Sequence, residues 1–172
     1  MGKFMSKVII LISGMPATGK TSFASWLSTE LKIPLVCYDN IKSKLSSAYD
    51  MFWFMLEEIC KSSSPVIADY IFTNQTNEFI DNMSNKYGYK IISVHFDCDT
   101  EIAYERFLER AKNIEGGDKI RLNKISFDEF NEEVKQNKNF NYGNVRIDVN
   151  TNNFETISYQ QILERINACF AK

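Results

Sequence analysis

The apolar run Lys7-Val8-Ile9-Ile10-Leu11-Ile12-Ser13 passes without a spacer into Gly14-Met15-Pro16-Ala17-Thr18-Gly19-Lys20-Thr21, and this junction restricts the fold more than any other feature of the chain. A continuous β-branched run is what a strand covered on both faces looks like. After the loop the pattern changes: Phe23, Ala24, Trp26, Leu27 and Leu31 recur at three- and four-residue intervals, the spacing of a helix face. The glycines therefore lie between a buried strand and a helix start. Gly14 and Gly19 tolerate backbone angles that let amide hydrogens turn inward on an anion, and the helix beginning near Lys20 adds its positive end. Lys20 is placed to reach the outer phosphates of a triphosphate and the Thr21 hydroxyl to ligate Mg²⁺. Gly14, Met15, Ala17, Thr18, Gly19, Lys20, Thr21 and Ser22 are expected to surround the triphosphate. Pro16 offers no amide hydrogen and stiffens the turn.

Beyond the loop, short apolar runs alternate with helical spacing. Strands are expected at 34–38, 66–70, 90–96 and 145–149, and helices over 40–60, 75–87, 100–112, 127–134 and 157–170. Pro34, the Ser62-Ser63-Ser64-Pro65 stretch and Gly88 mark breaks between them. Strands alternating with helices imply a parallel sheet with helices on both faces and right-handed crossovers. The reading is a single three-layer α/β/α domain over 1–172 with a five-stranded parallel sheet. In such sheets ligands sit beyond the carboxyl ends of the strands, where the glycine loop falls.

The formal net charge is −2 and the sequence pI about 5.5, so no global positive field favours nucleic acid or anionic lipid. Cys37, Cys60, Cys98 and Cys169 form no CxxC pair, which fits reduced thiols rather than a zinc site or a disulfide scaffold. Lys3 and Lys7 before the apolar run imitate a secretion signal, but the run is too short and feeds the loop. Gly2 and Ser6 match a myristoylation pattern that arises easily by chance. No stretch approaches the ~20 apolar residues that cross a bilayer. A cytoplasmic protein without membrane association is expected. His95, inside an apolar run, reads as a core histidine.

Three further places carry candidate chemistry. Asp69 ends the third apolar run, where a carboxylate beside the phosphate strand can hold Mg²⁺ directly or through water. Asp39 ends the second run and opens a helix. It reads either as a helix cap or as the group that takes a proton from an attacking hydroxyl. Lys42, one turn on, is placed to hold an anionic acceptor or the moving phosphoryl group. Arg106 and Arg110 share one helix face, and read either as part of a solvated ion-pair helix with Glu101, Glu105 and Glu109 or as cations that close over the triphosphate. Gly116-Gly117 would suit a hinge, making 106–143 a small lid and its flanks. Residues 49–55, Tyr-Asp-Met-Phe-Trp-Phe-Met, are mostly core by spacing, with some side chains left to line a pocket for an apolar or ring-bearing acceptor.

With these pieces in order the chain resembles the P-loop kinases that include polynucleotide 5′-hydroxyl kinase, chloramphenicol phosphotransferase, zeta toxins and gluconate or shikimate kinases. The resemblance covers nearly the whole length. It rests on "GMPATGKT", "YDNIKSKL", "VIADYIF" and "RFLER". It implies a P-loop NTPase fold with ATP and Mg²⁺ as cofactors, Asp39 as general base and Arg106 and Arg110 as lid residues. Lys20 and Thr21 would be the triphosphate and magnesium ligands. Lys42 stands where the family commonly has arginine, so a bidentate phosphate grip is lost.

The expectation is an ATP-dependent phosphotransferase acting on a hydroxyl of a small-molecule or nucleoside-like acceptor. A polynucleotide 5′-hydroxyl kinase is the alternative, against which the acidic balance argues. From another class, an ATP-binding regulator or toxin-like protein with little turnover stays open. A GTP switch fits poorly: Phe72 stands where DxxG needs glycine, and Asn123-Lys124-Ile125-Ser126 lacks the aspartate of NKxD.

Overall fold

The computed structural model describes residues 7–112 and 125–170. Five strands, β1 (Val8–Gly14), β2 (Leu35–Cys37), β3 (Val66–Asp69), β4 (Lys90–Asp97) and β5 (Val145–Asn150), form one all-parallel sheet in the order β2-β3-β1-β4-β5. The helices are α1 (Lys20–Leu31), α2 (Tyr38–Lys42), α3 (Ala48–Lys61), α4 (Asn77–Tyr87), α5 (Thr100–Lys112), α6 (Phe127–Lys138) and α7 (Tyr159–Phe170). The expected three-layer architecture is what forms.

Alternation along the central strand assigns the two faces. Val8, Ile10 and Ile12 pack with Phe23 and Leu27 of α1 and with Ile162, Leu163 and Ile166 of α7. Ile9 and Leu11 point the other way, into Phe52 and Leu56 of α3, Ile80 and Met83 of α4, and Phe140. Truncating a buried phenylalanine such as Phe52 in a core of this kind costs about 3–5 kcal/mol. A third cluster of Met15, Cys98, Ala103, Phe130 and Val134 fixes α5 and α6 against the phosphate loop.

The helix expected over 40–60 is two helices. α2 stops after Lys42, and the Ser43 hydroxyl donates to the Asn40 carbonyl at 2.8 Å, a local bond that competes with helix propagation. α3 then restarts at Ala48. α6 runs one turn further than its apolar spacing suggested, to Lys138. Its start is fixed by a reciprocal capping box, in which the Ser126 hydroxyl accepts from the Glu129 N–H and the Glu129 carboxylate accepts from the Ser126 N–H. The Gly116-Gly117 hinge and the Gly2/Ser6 pattern lie outside the described residues. Among the described residues no helix is long and apolar enough to cross a membrane.

Candidate active site

The register of the sheet builds the site. Ile12 pairs with Asp69 across β1 and β3, Cys37 with Asp69 across β2 and β3, and Gly14 with Phe96 across β1 and β4. The carboxyl ends of β1, β2 and β3 therefore meet on one edge, and the loop 14–21, Asp39 and Asp69 are gathered there from three distant stretches of chain.

Gly14 has φ 121°, and a Cβ there would sit 1.9 Å from the Phe96 carbonyl oxygen, so the loop leaves β1 along a path open only to glycine. Gly19 takes a left-handed conformation at the helix start, φ 82°. Ala17 is also left-handed, φ 57°, a conformation that costs a residue with a Cβ about 1 kcal/mol. The Met15 carbonyl folds inward and accepts from the Thr18 hydroxyl at 2.7 Å and from the Lys20 ammonium. α1 has no side-chain cap and no acidic residue in its first turn. Its leading N–H groups thus have no internal acceptor, the condition under which a helix start binds an anion.

Thr21 Oγ1 donates to Asp69 Oδ2 at 2.7 Å, and Cys37 Sγ approaches the same oxygen at 3.5 Å. Asp69 is 5% exposed, and burial raises its carboxyl above the ordinary range against the pull of Thr21 and Lys20. Lys20 is pushed down to about 8, first by burial and then by Arg110, while Asp69 and Asp39 favour its charged form. Lys20, Asp39, Asp69 and Arg110 therefore share one electrostatic neighbourhood. A hydroxyl and a buried carboxylate, both hard oxygen donors, fit magnesium held partly by substrate phosphates. Among the described residues no cluster of three acidic, histidine or cysteine side chains offers a metal cage of its own.

Asp39 lies inside the first turn of α2, exposed, and Cys37 is the residue at the cap, with no side-chain cap bond. The helix-cap reading of Asp39 therefore loses its geometry. Lys42 is exposed at the end of the same helix.

The two arginines part company. Arg106 donates to the Thr151 and Asn152 carbonyls at 2.7 and 2.9 Å, and its guanidinium lies 3.9 Å from the centre of the Phe154 ring. Phe154 in turn lies 3.3 Å from where a Gly19 Cβ would stand. Arg106 thus ties the loop after β5 to the phosphate loop, while Arg110 is exposed and acts on Lys20 through its charge. Neither Phe154 nor this tie has a local sequence signal, because the partners are 45 residues or more apart.

The aromatic stretch divides as well. Phe52 and Trp53 are buried, whereas Phe54 and its neighbour Met55 face out. Trp53 and Phe54 line an outer groove between α3 and α4 with Phe79 and Met83. A separate cavity, of about 350 Å³, borders Pro16 of the phosphate loop. His95 is buried as expected, with Nδ1 3.0 Å from the Ser13 hydroxyl. Burial and the nearby Arg146 push it below the ordinary histidine range, so it is neutral at pH 7.

No family model matches the chain, and no curated protein matches it in sequence. Solved structures do. A proposed kinase from Chloroflexus aurantiacus superposes with a TM-score of 0.80 at 19% identity, covering 95% of this chain and 98% of that one. The APS kinase CysC of Mycobacterium tuberculosis, in complex with AMPPNP and APS, gives 0.64 at 11% identity over 97% and 99%. A gluconokinase from Sinorhizobium meliloti 1021 gives 0.60 at 11% identity over 98% and 94%. With sheet order, loop geometry and these likenesses in agreement, the chain has the fold of the P-loop kinases.

Proposed function

We propose that the protein is an ATP-dependent phosphotransferase that moves the terminal phosphoryl group to a hydroxyl of a small-molecule or nucleoside-like acceptor. The observation that supports this best is the meeting of Lys20, the Thr21–Asp69 pair and Asp39 at one sheet edge, beside a helix start without a cap. A nucleotide-binding switch needs the first two; an acceptor-side carboxylate is extra equipment suited to transfer.

The loop amides and the start of α1 hold the phosphate chain, and Lys20 swings from the Met15 carbonyl to the outer phosphates. Thr21 and Asp69 are the residues that would hold magnesium, which when bound neutralises phosphate charge. Asp39 accepts the proton of the acceptor hydroxyl as its oxygen bonds to phosphorus. The bond from phosphorus to the bridging oxygen breaks, and the electron pair leaves with ADP. Arg110 stabilises the charge spread over the transferring group. Arg106 holds the 151–154 loop beside Gly19, and the lid within 106–143, of which 113–124 lie outside the described residues, would keep water out.

Labelled ATP with a panel of alcohols, nucleosides and 5′-hydroxyl oligonucleotides tests this. Asp39→Asn should lower kcat about a hundredfold or more with the KM for ATP unchanged. Transfer surviving nearly intact removes Asp39 as the base. Oligonucleotides outpacing every small alcohol would make the protein a polynucleotide kinase. ATP binding without turnover on any acceptor would favour the regulator reading.

A further inference from the structure

Tyr38 stands next to Asp39 and Tyr70 next to Asp69, and their rings meet edge to face with centres 4.7 Å apart. The contact follows from the sheet. Cys37 and Asp69 are partners across β2 and β3, and each strand continues into a tyrosine at its next residue. Tyr70 is backed by Phe52, stacked at 5.0 Å, and by Trp53 at 6.0 Å. Tyr49, in the first turn of α3, lies 6.2 Å from the same Trp53 ring. A row of aromatic rings thus runs from the two acidic strand ends toward the start of α3.

These three tyrosines differ from those that serve as structural ties. The hydroxyls of Tyr87, Tyr89, Tyr104 and Tyr142 are each hydrogen-bonded to a carboxylate or carbonyl. Those of Tyr38, Tyr49 and Tyr70 bond to no described residue. Tyr49 is 40% exposed. Tyr38 and Tyr70 are half-buried, yet neither oxygen is among the buried polar atoms without a partner, so all three hydroxyls reach the surface. Burial pushes the Tyr70 phenol up to about 12, with the phenols of Tyr38 and Tyr49 acting in the same direction. The three therefore share one neighbourhood, and the Tyr70 hydroxyl keeps its proton at pH 7, able to donate as well as accept.

Charge along this row is balanced. Over 38–50, Lys42 and Lys44 stand against Asp39 and Asp50, and the stretch has no arginine, the side chain that grips a carboxylate or phosphate at two points. Lys42 is left to the moving phosphoryl group.

We propose that Tyr38, Tyr49 and Tyr70 select the acceptor, and that the acceptor is an alcohol carried on a flat, uncharged ring with a hydrogen-bonding edge, the chemistry of a free nucleoside. This rests on the kinase reading above and names the substrate class of that site. The phenol faces take the flat ring by stacking and edge contact, and their hydroxyls bond the groups on its edge. The reacting hydroxyl is left beside Asp39. An open-chain polyol has no flat face to offer the row, and an oligonucleotide brings phosphates for which the stretch supplies no arginine.

Methyl β-ribofuranoside is the reference acceptor, because it carries the sugar hydroxyls of a nucleoside without the base. Transfer from labelled ATP is measured for it, for adenosine, guanosine, cytidine and uridine, for glucitol and for a 5′-hydroxyl dinucleotide. ATP binding is followed in the same samples by calorimetry. The best nucleoside should exceed the riboside at least about tenfold in kcat/KM. Tyr49→Leu removes an exposed flat face and should lower that ratio about fivefold, whereas a general structural defect would lower both acceptors together. Tyr38→Phe with Tyr70→Phe keeps the rings and loses the hydroxyls, and should raise the nucleoside KM several-fold at unchanged ATP affinity. If that double variant does not fold, Trp26→Phe leaves Trp53 as the single indole. Its emission should then change when a nucleoside, but not the riboside, joins a non-hydrolysable ATP analogue, and an emission indifferent to nucleosides counts against the proposal. Equal or better use of the riboside, glucitol or the dinucleotide overturns it. So does a ratio that Tyr49→Leu leaves unmoved, or no transfer to any acceptor while ATP binds. Loss of ATP binding in the unaltered protein would instead remove the kinase reading, and this proposal with it.

Discussion

Lys20→Met should bind no triphosphate and yet fold more stably than the unaltered chain. Burial lowers the Lys20 ammonium from 10.5 to about 8, a difference equivalent to about 3 kcal/mol of unfavourable free energy on the charged form. Methionine keeps an unbranched apolar stem in the same space. It gives up the hydrogen bond to the Met15 carbonyl, worth about 1 kcal/mol, while the attraction to Asp69 and Asp39 is already contained in the net lowering to about 8. A net gain of about 1–2 kcal/mol at pH 7 remains, or roughly 2–8 °C in Tm for a chain of this length. The pH dependence distinguishes this cause from better packing. Between about 8 and 10.5 the unfolded chain holds a proton on Lys20 that the folded chain has released. The stability of the unaltered protein therefore rises with pH through that window, and its deficit against Lys20→Met closes. Urea unfolding from pH 7 to 10, with nucleotide binding followed by calorimetry, measures both effects. A variant that is less stable at pH 7, or a gap that does not narrow with pH, would refute the assignment of a strained buried ammonium.

Gly14→Ala should lose more than about 4 kcal/mol or fail to fold, since its Cβ would overlap the Phe96 carbonyl carbon at 2.7 Å as well as the oxygen. Gly88→Ala, left-handed at φ 71° but facing open space, should cost only about 1 kcal/mol in the same denaturation assay. Arg106→Lys should raise the KM for ATP several-fold with a smaller effect on kcat, because lysine cannot bridge two carbonyls and lie on Phe154 together. Asp69→Asn should raise the magnesium concentration needed for half-maximal activity about tenfold, read from a magnesium titration at saturating ATP.

What the sequence determined by itself is local: a strand that must be buried on both faces, a loop with glycine at the two positions suited to left-handed or close-approach backbone, and helices whose apolar residues recur every three or four positions. Such signals lie within a few residues of one another, so β1, the loop and α1 were legible before any fold was known, and the alternation of elements left a parallel sheet as the economical arrangement. The break between α2 and α3 was less legible, because serine side chains bonding their own backbone carry no hydrophobic signal. The tertiary structure alone decided which residues meet. Thr21 and Asp69 are 48 positions apart and are joined by a side-chain hydrogen bond once the pairing of Ile12 with Asp69 sets the end of β3 beside the loop, and Arg106 is committed to carbonyls 45 and 46 residues away. The cavity beside Pro16 draws on segments from the phosphate loop to α6. Burial had to be assembled before Lys20 could lose basicity or Asp69 gain it, since desolvation belongs to the packed neighbourhood and not to the residue.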